Sequence, residues 1–242
     1  MQENPFAYGF HSIPEYNYEN YILYENNREA VSDSREYISE DSSWPLFYLY
    51  GSVGLGKTCL AHAMVNLFLE NNPHASVRYT KIETLVSELI GALHEENRGK
   101  QGEIQRLSDR YGCETDFLIL DDIQYLEGKS GTGEFISEIL KQRLDSGRKT
   151  VIISDRTMEC QVQKIPAFSE SLRKCHCAEI KKPDEGERLD ILRKLSEKDP
   201  VLKNHEFRTE TLEIIASESN GDIRSLRGSL LKLAAYDLLM QG

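Results

Sequence analysis

Eight consecutive residues, Gly51-Ser52-Val53-Gly54-Leu55-Gly56-Lys57-Thr58, fit the pattern G-x-x-x-x-G-K-[ST]. Its glycines let the backbone curl until successive N–H groups face one point, and such a cradle binds phosphate. The Lys57 ammonium suits the β- and γ-phosphates of a nucleoside triphosphate. The Thr58 hydroxyl suits Mg²⁺, a hard cation that takes oxygen ligands. A second group with chemical potential is Asp121-Asp122, which closes the apolar run Phe117-Leu118-Ile119-Leu120. Asp121 is the acid expected to hold the metal through water, and Asp122, one residue further out, stands where a base would polarise an attacking water. An Asp reaches one methylene less far than a Glu, so the expected hydrolysis is slow, that of a switch more than of a motor. Packing alone offers each group a plainer role: a Gly-rich strand-to-helix turn, a strand-end acid, a helix cap.

A phosphate loop works only when a strand leads in and a helix leads out. Leu46–Tyr50 is a continuous apolar run after Pro45, as expected of a strand buried on both faces of a parallel sheet. From Thr58, Leu60, Met64, Leu67 and Phe68 recur at helical spacing until Asn71-Asn72-Pro73 stops them. Further strands are expected over 76–80, 117–120 and 150–154. Helices are expected over 21–38, around Leu85 to Leu93, around Ile104 to Tyr111 and from Phe135 to Leu144. Strands alternating with helices predict an α/β fold with a parallel sheet. After Pro183 the apolar periods (Leu189, Ile191, Leu192, Leu195; Leu212, Ile214, Ile215; Leu226, Leu230, Leu233) are all helical. A nucleotide-binding α/β domain with an N-terminal arm is therefore expected over 1–183, and a small helical domain over 184–242.

The 242 residues carry 29 Lys plus Arg against 40 Asp plus Glu, a net charge of −11 that argues against coating nucleic acid through a general basic field. No apolar stretch approaches the roughly 18 residues that span a bilayer, and the first residues have no basic segment followed by an apolar one. Membrane and secretory readings fall away on that basis. Five scattered cysteines suit reduced thiols in the cytoplasm. Cys175-His176-Cys177 has no second cluster to complete a tetrahedral zinc site. It reads as a core strand, with both thiols on one face and the imidazole on the other.

The sequence resembles the AAA+ domain of the bacterial replication initiator DnaA and its close relatives along almost its whole length. The resemblance is carried by Asn4-Pro5 with Tyr8 and Phe10, by Leu46–Tyr50 running into the Gly51–Thr58 loop, and by Asp121-Asp122-Ile123-Gln124-Tyr125. Ser154-Asp155-Arg156, Pro183-Asp184 and Asp222-Ile223-Arg224-Ser225-Leu226-Arg227-Gly228 continue it. It implies a three-layer αβα sandwich around a five-stranded parallel sheet, with a C-terminal helical lid. It further implies ATP or ADP with Mg²⁺ as ligands, and a slow ATPase serving as a switch in initiation of chromosomal replication or in its regulation. Self-assembly, replisome partners and a cytoplasmic location go with that reading. Asp155 matches the first sensor, on a strand lying between those that bear Lys57 and Asp121. Arg224 matches the second sensor, leaning from the lid onto the γ-phosphate so that lid angle follows the nucleotide; as a plain surface residue it is a solvated arginine. Ile82 to Tyr111 corresponds to the initiator-specific insertion, which implies a helical assembly and a single-stranded DNA surface. Its Arg98, Lys100, Arg106 and Arg110 are diluted by Glu95, Glu96 and Glu103, which leaves DNA contact and solvated surface both open.

The sequence departs from the family in three places. The segment Ser169–Cys177 is shorter than the one that carries the arginine finger, leaving Arg173 or Lys174 for that role, and Lys lacks the planar fork. Gly131 stands where initiators often present an arginine. The sequence ends at Gly242, where a complete initiator continues into a helix-turn-helix domain, and it has no Gln-Leu-x-Leu peptide before Asn4 of the kind the regulatory relative Hda carries. A DnaA-type assembly switch, an Hda-like adaptor with nucleotide as a structural ligand, and a helicase-loader ATPase are the readings left open.

Overall fold

The short apolar runs become five parallel strands in a computed structural model that describes residue 13 and residues 15–240: β1 (Leu46–Tyr50), β2 (Val77–Lys81), β3 (Phe117–Asp121), β4 (Lys149–Ser154) and β5 (Cys175–Glu179). Their order across the sheet is β2-β3-β4-β1-β5. Between them run α1 (Arg28–Ile38), α2 (Lys57–Asn71), α3 (Ile82–Asn97), α4 (Glu103–Gly112), α5 (Ser130–Asp145), α6 (Met158–Lys164) and α7 (Ser169–Leu172). After β5 come α8 (Glu185–Lys198), α9 (Thr209–Glu218) and α10 (Ile223–Met240).

Alternation along the strands divides the apolar side chains between two cores. Phe47, Leu49, Phe117, Ile119, Val151 and Ile153 pack with α1, α2 and α8–α10, whereas Tyr48, Leu118, Leu120 and Ile152 pack with α3, α4 and α5. Each such side chain, fully buried, contributes roughly 1.5–3 kcal/mol. Covering both faces of the sheet with helices makes the expected αβα sandwich, and the runs of β1 and β3 are uninterruptedly apolar because neither of their faces meets water.

Residues 21–24 depart from the expected helix. Tyr24 is extended (φ −139°, ψ 168°), and helical structure starts with a 3-10 turn at Glu25–Asn27. The Asn27 side chain accepts from the Tyr24 N–H at 3.0 Å and donates to the Ile22 carbonyl at 3.0 Å. Such local bonds offer the backbone an alternative to helix. The arm then reaches the C-terminal helices. The Tyr24 hydroxyl donates to the Lys181 carbonyl at 2.9 Å, and the Asn26 N–H to Glu187 at 2.8 Å. Asn4, Pro5, Tyr8 and Phe10 lie outside the described residues.

β5 is an edge strand and only partly buried, where a core strand was expected. Its alternation is as read: Cys175 and Cys177 face α5 and α7, while His176 stacks on Trp44 with centroids 3.6 Å apart. The buried Arg143 guanidinium donates to the Thr150 hydroxyl and to the carbonyls of Tyr111, Thr115, Asp116 and Lys149. It thereby ties together the segments leading into β3 and β4.

Candidate phosphate-binding site

The loop between β1 and α2 is shaped by three glycines at positive φ, two of which also leave no room for a Cβ. Gly51 (φ +148°) passes so close to the Ile180 carbonyl that a Cβ would collide with it. A Cβ on Gly54 (φ +83°) would lie 2.5 Å from Asp222 Oδ1. Buried Leu55 anchors the loop from below, while Ser52 and Val53 are exposed and Gly56 caps α2 in the left-handed conformation.

Lys57 opens α2, and its ammonium donates to the carbonyls of Gly51 at 2.7 Å and Ser52 at 2.9 Å. Both partners are neutral, so the cation is held at the loop without its charge being cancelled there. Burial pulls its pKa below the ordinary lysine value. Asp121, Asp155 and Asp122 act in the opposite direction, and Arg224 reinforces the lowering. Four residues from three distant parts of the chain thus stand within electrostatic reach of one ammonium.

Strand order explains the gathering. β4 lies between β1 and β3, so Asp155 at its end stands between the loop and Asp121. Asp155 is exposed, 3.7 Å from Arg156 Nε. Asp121, 3% exposed, accepts at Oδ2 from the Thr58 hydroxyl (3.0 Å) and the Tyr79 hydroxyl (2.8 Å), and at Oδ1 from the Asp122 N–H (2.8 Å). One alcohol and one carboxylate fit Mg²⁺, which keeps most of its water and phosphate ligands and takes only one or two from protein.

Asp122 is the one non-glycine residue with positive φ among the described residues (φ 61°, ψ 46°). That conformation costs on the order of 1–2 kcal/mol, less for Asp than for most residues. It turns the chain at the C-terminal end of β3, and Gln124 Nε2 donates to Asp122 Oδ1 at 3.0 Å. The exposed Arg224 is the second residue of α10, and its main-chain N–H donates to the Gly54 carbonyl at 3.2 Å. Asp222 caps the helix, accepting from the Ser225 N–H at 2.8 Å.

Arg173 and Lys174 are not brought to this site. They are exposed and lead into the start of β5, whereas the loop follows the far end of β1. The two strands are parallel with Leu46 opposite Cys175 and Tyr50 opposite Glu179, so a strand length of about 13 Å intervenes. In the segment from Ile82 to Tyr111, every basic residue singled out has an acidic neighbour. Arg98 and Lys100 pair with Glu95, Arg106 with Glu103, and Arg110 with Glu88. The sequence reading missed Tyr79, Gln124 and Asp222. Gln124 and Asp222 stood inside recognised motifs, but Tyr79 sits on another strand with no local signal.

A family model described as the bacterial DnaA ATPase domain matches residues 13–175. The chromosomal replication initiator protein DnaA of Thermotoga sp. (strain RQ2) is 30% identical over 227 residues. That match takes in 92% of this chain and 48% of the relative, so the chain spans about half its length. Among solved structures, domain III of Thermotoga maritima DnaA superposes with a TM-score of 0.84 at 28% identity, covering 96% of this chain and 92% of that one. The AMPPCP-bound DnaA from Aquifex aeolicus gives 0.77 at 25% identity, covering 92% and 65%.

Proposed function

We propose that this chain, which belongs to the bacterial DnaA ATPase-domain family, binds ATP with Mg²⁺ and hydrolyses it slowly, as an ATP/ADP switch in initiation of chromosomal replication. The observation that carries this is the Lys57 ammonium, held on two neutral carbonyls in a loop bent by positive φ at Gly51, Gly54 and Gly56, with Asp121, Asp122, Asp155 and Arg224 within its electrostatic reach. In that reading Lys57 leaves the carbonyls of Gly51 and Ser52 for the β- and γ-phosphates, while the backbone of Gly51–Thr58 holds the remaining phosphate oxygens. Mg²⁺ would supply charge neutralisation between the β- and γ-phosphates. Thr58 and Asp121 are its candidate protein partners, Asp121 through water. Asp122, turned out of the sheet and held by Gln124, takes up the proton of the attacking water. Asp155 orients that water or the γ-phosphate, and Arg224 carries the state of the nucleotide into α8–α10, which act as a lid.

A finger at Arg173 serves a neighbouring protomer in the same reading, because it stands a strand length from its own loop; self-assembly follows from that. The cytoplasm is the matching compartment, and among the described residues no helix is long and apolar enough to cross a membrane. Contact with single-stranded DNA through α3 and α4 is the less supported part of this reading, since Arg98, Lys100, Arg106 and Arg110 each have a carboxylate beside them. The likeness to DnaA over 92% of the chain favours the initiator type over a regulatory adaptor or helicase loader. The test is isothermal calorimetry on Lys57→Ala. Loss of ATP binding in a folded protein is the expected result, and wild-type affinity would remove the site.

A further inference from the structure

The carboxylate proposed to face the metal is held by more than the phosphate loop. Asp121 Oδ2 takes two hydrogen bonds, one from Thr58 on α2 and a shorter one, 2.8 Å, from the Tyr79 hydroxyl. Tyr79 lies on β2, the strand beside β3, in register with Ile119 and two steps before the Lys81–Asp121 pair. Oδ2 therefore has one donor on the helix that carries the phosphate loop and one on the sheet, while Oδ1 is taken by the Asp122 N–H. Three donors on two oxygens leave the side chain little freedom to turn.

The phenol is itself braced. The His62 ring on α2 lies 5.3 Å from the Tyr79 ring, and Tyr16 of the N-terminal arm meets His62 edge-on at 5.6 Å. An aromatic column thus runs from the arm, across the helix that begins at Lys57, to the carboxylate. An ionised carboxylate can only accept, so the phenol O–H is the donor in this 2.8 Å bond.

We infer that Tyr79 is a positioning residue for the magnesium site: its hydroxyl fixes the rotamer of Asp121, so that the carboxylate is already aimed when Mg²⁺ arrives with the nucleotide. The inference rests on the reading of Asp121 as the metal acid. A hydroxyl that orients a metal-facing carboxylate supports metal affinity without touching the nucleotide, and losing such a partner typically weakens metal binding by about 10- to 100-fold.

The test is Tyr79→Phe in the full chain, which removes one oxygen and keeps the ring packing. A fluorescent ATP analogue is bound first in EDTA and then titrated with Mg²⁺, and Mn²⁺ binding to the complex is followed by electron paramagnetic resonance. The expected result is an unchanged affinity for the analogue in EDTA, with a Mg²⁺ midpoint moved upward about tenfold or more. In an Asp121→Ala background the same substitution should move the midpoint no further, which a merely structural tyrosine would not predict. An unmoved midpoint in the single variant overturns the inference, as does an additional shift in the Asp121→Ala background. Failure of the wild-type chain to bind the analogue at all, with or without Mg²⁺, would instead sink the nucleotide reading on which the inference stands.

Discussion

The main-chain N–H of Arg224 donates to the carbonyl of Gly54 at 3.2 Å, which hangs the last helix on the phosphate loop itself. A displacement of Gly54 would act on the backbone of Arg224, the arginine whose charge reaches Lys57. The loop and the start of α10 are thereby linked through one bond between neutral groups.

Gly54→Ala tests that link. The new Cβ must adopt φ +83° and displaces Asp222, the cap of α10. A left-handed alanine alone costs about 1–2 kcal/mol. Denaturant unfolding should report a loss of at least that size, and amide exchange at Arg224 should accelerate. Unchanged exchange at Arg224 would mean that the helix does not depend on the loop.

Arg224→Ala should separate the two nucleotides. If the guanidinium reaches only the γ-phosphate, ATP binding weakens by the worth of a charged hydrogen bond, about 1.5–3 kcal/mol, and ADP binding stays within error. Calorimetry with each nucleotide decides, and parallel losses would assign Arg224 to the β-phosphate or to packing of α10.

Asp122→Asn should leave ATP affinity and stability nearly intact while slowing hydrolysis by roughly 100-fold or more, the usual contribution of a general base. Asn suits the left-handed conformation as well as Asp does, and its amide oxygen still accepts from Gln124. Single-turnover release of phosphate is the measurement. An equal fall in affinity would identify Asp122 with structure or metal.

Replacing Arg173 and Lys174 together with Ala should spare ATP binding by the isolated chain. In the wild type, the specific ATPase rate should rise with protein concentration, and in the double variant it should be flat, because a finger acts on a neighbour. A wild-type rate independent of concentration, with a monomer by light scattering in ATP, would refute assembly through this segment.

The loop from Gly51 to Thr58 was legible in sequence because a phosphate cradle is built from contiguous backbone, and contiguity is what a sequence displays. The strands were legible for a related reason: β1 and β3 are buried on both faces, so each is an unbroken apolar run closed by a residue of the candidate site, Gly51 in one and Asp121-Asp122 in the other. The start of α1 was misjudged because one side chain, Asn27, holds Tyr24 extended against the apolar period. The hydroxyl of Tyr79 on Asp121, the five donors of Arg143 and the bond from Arg224 to Gly54 were decided only by tertiary structure. Each joins residues separated along the chain, and nothing in their immediate neighbours distinguishes a strand tyrosine or a helix arginine with a distant partner from one without. The same reason governs the basic residues of α3 and α4, whose number is written in the sequence but whose pairing with Glu88, Glu95 and Glu103 depends on where the folded helices bring the carboxylates.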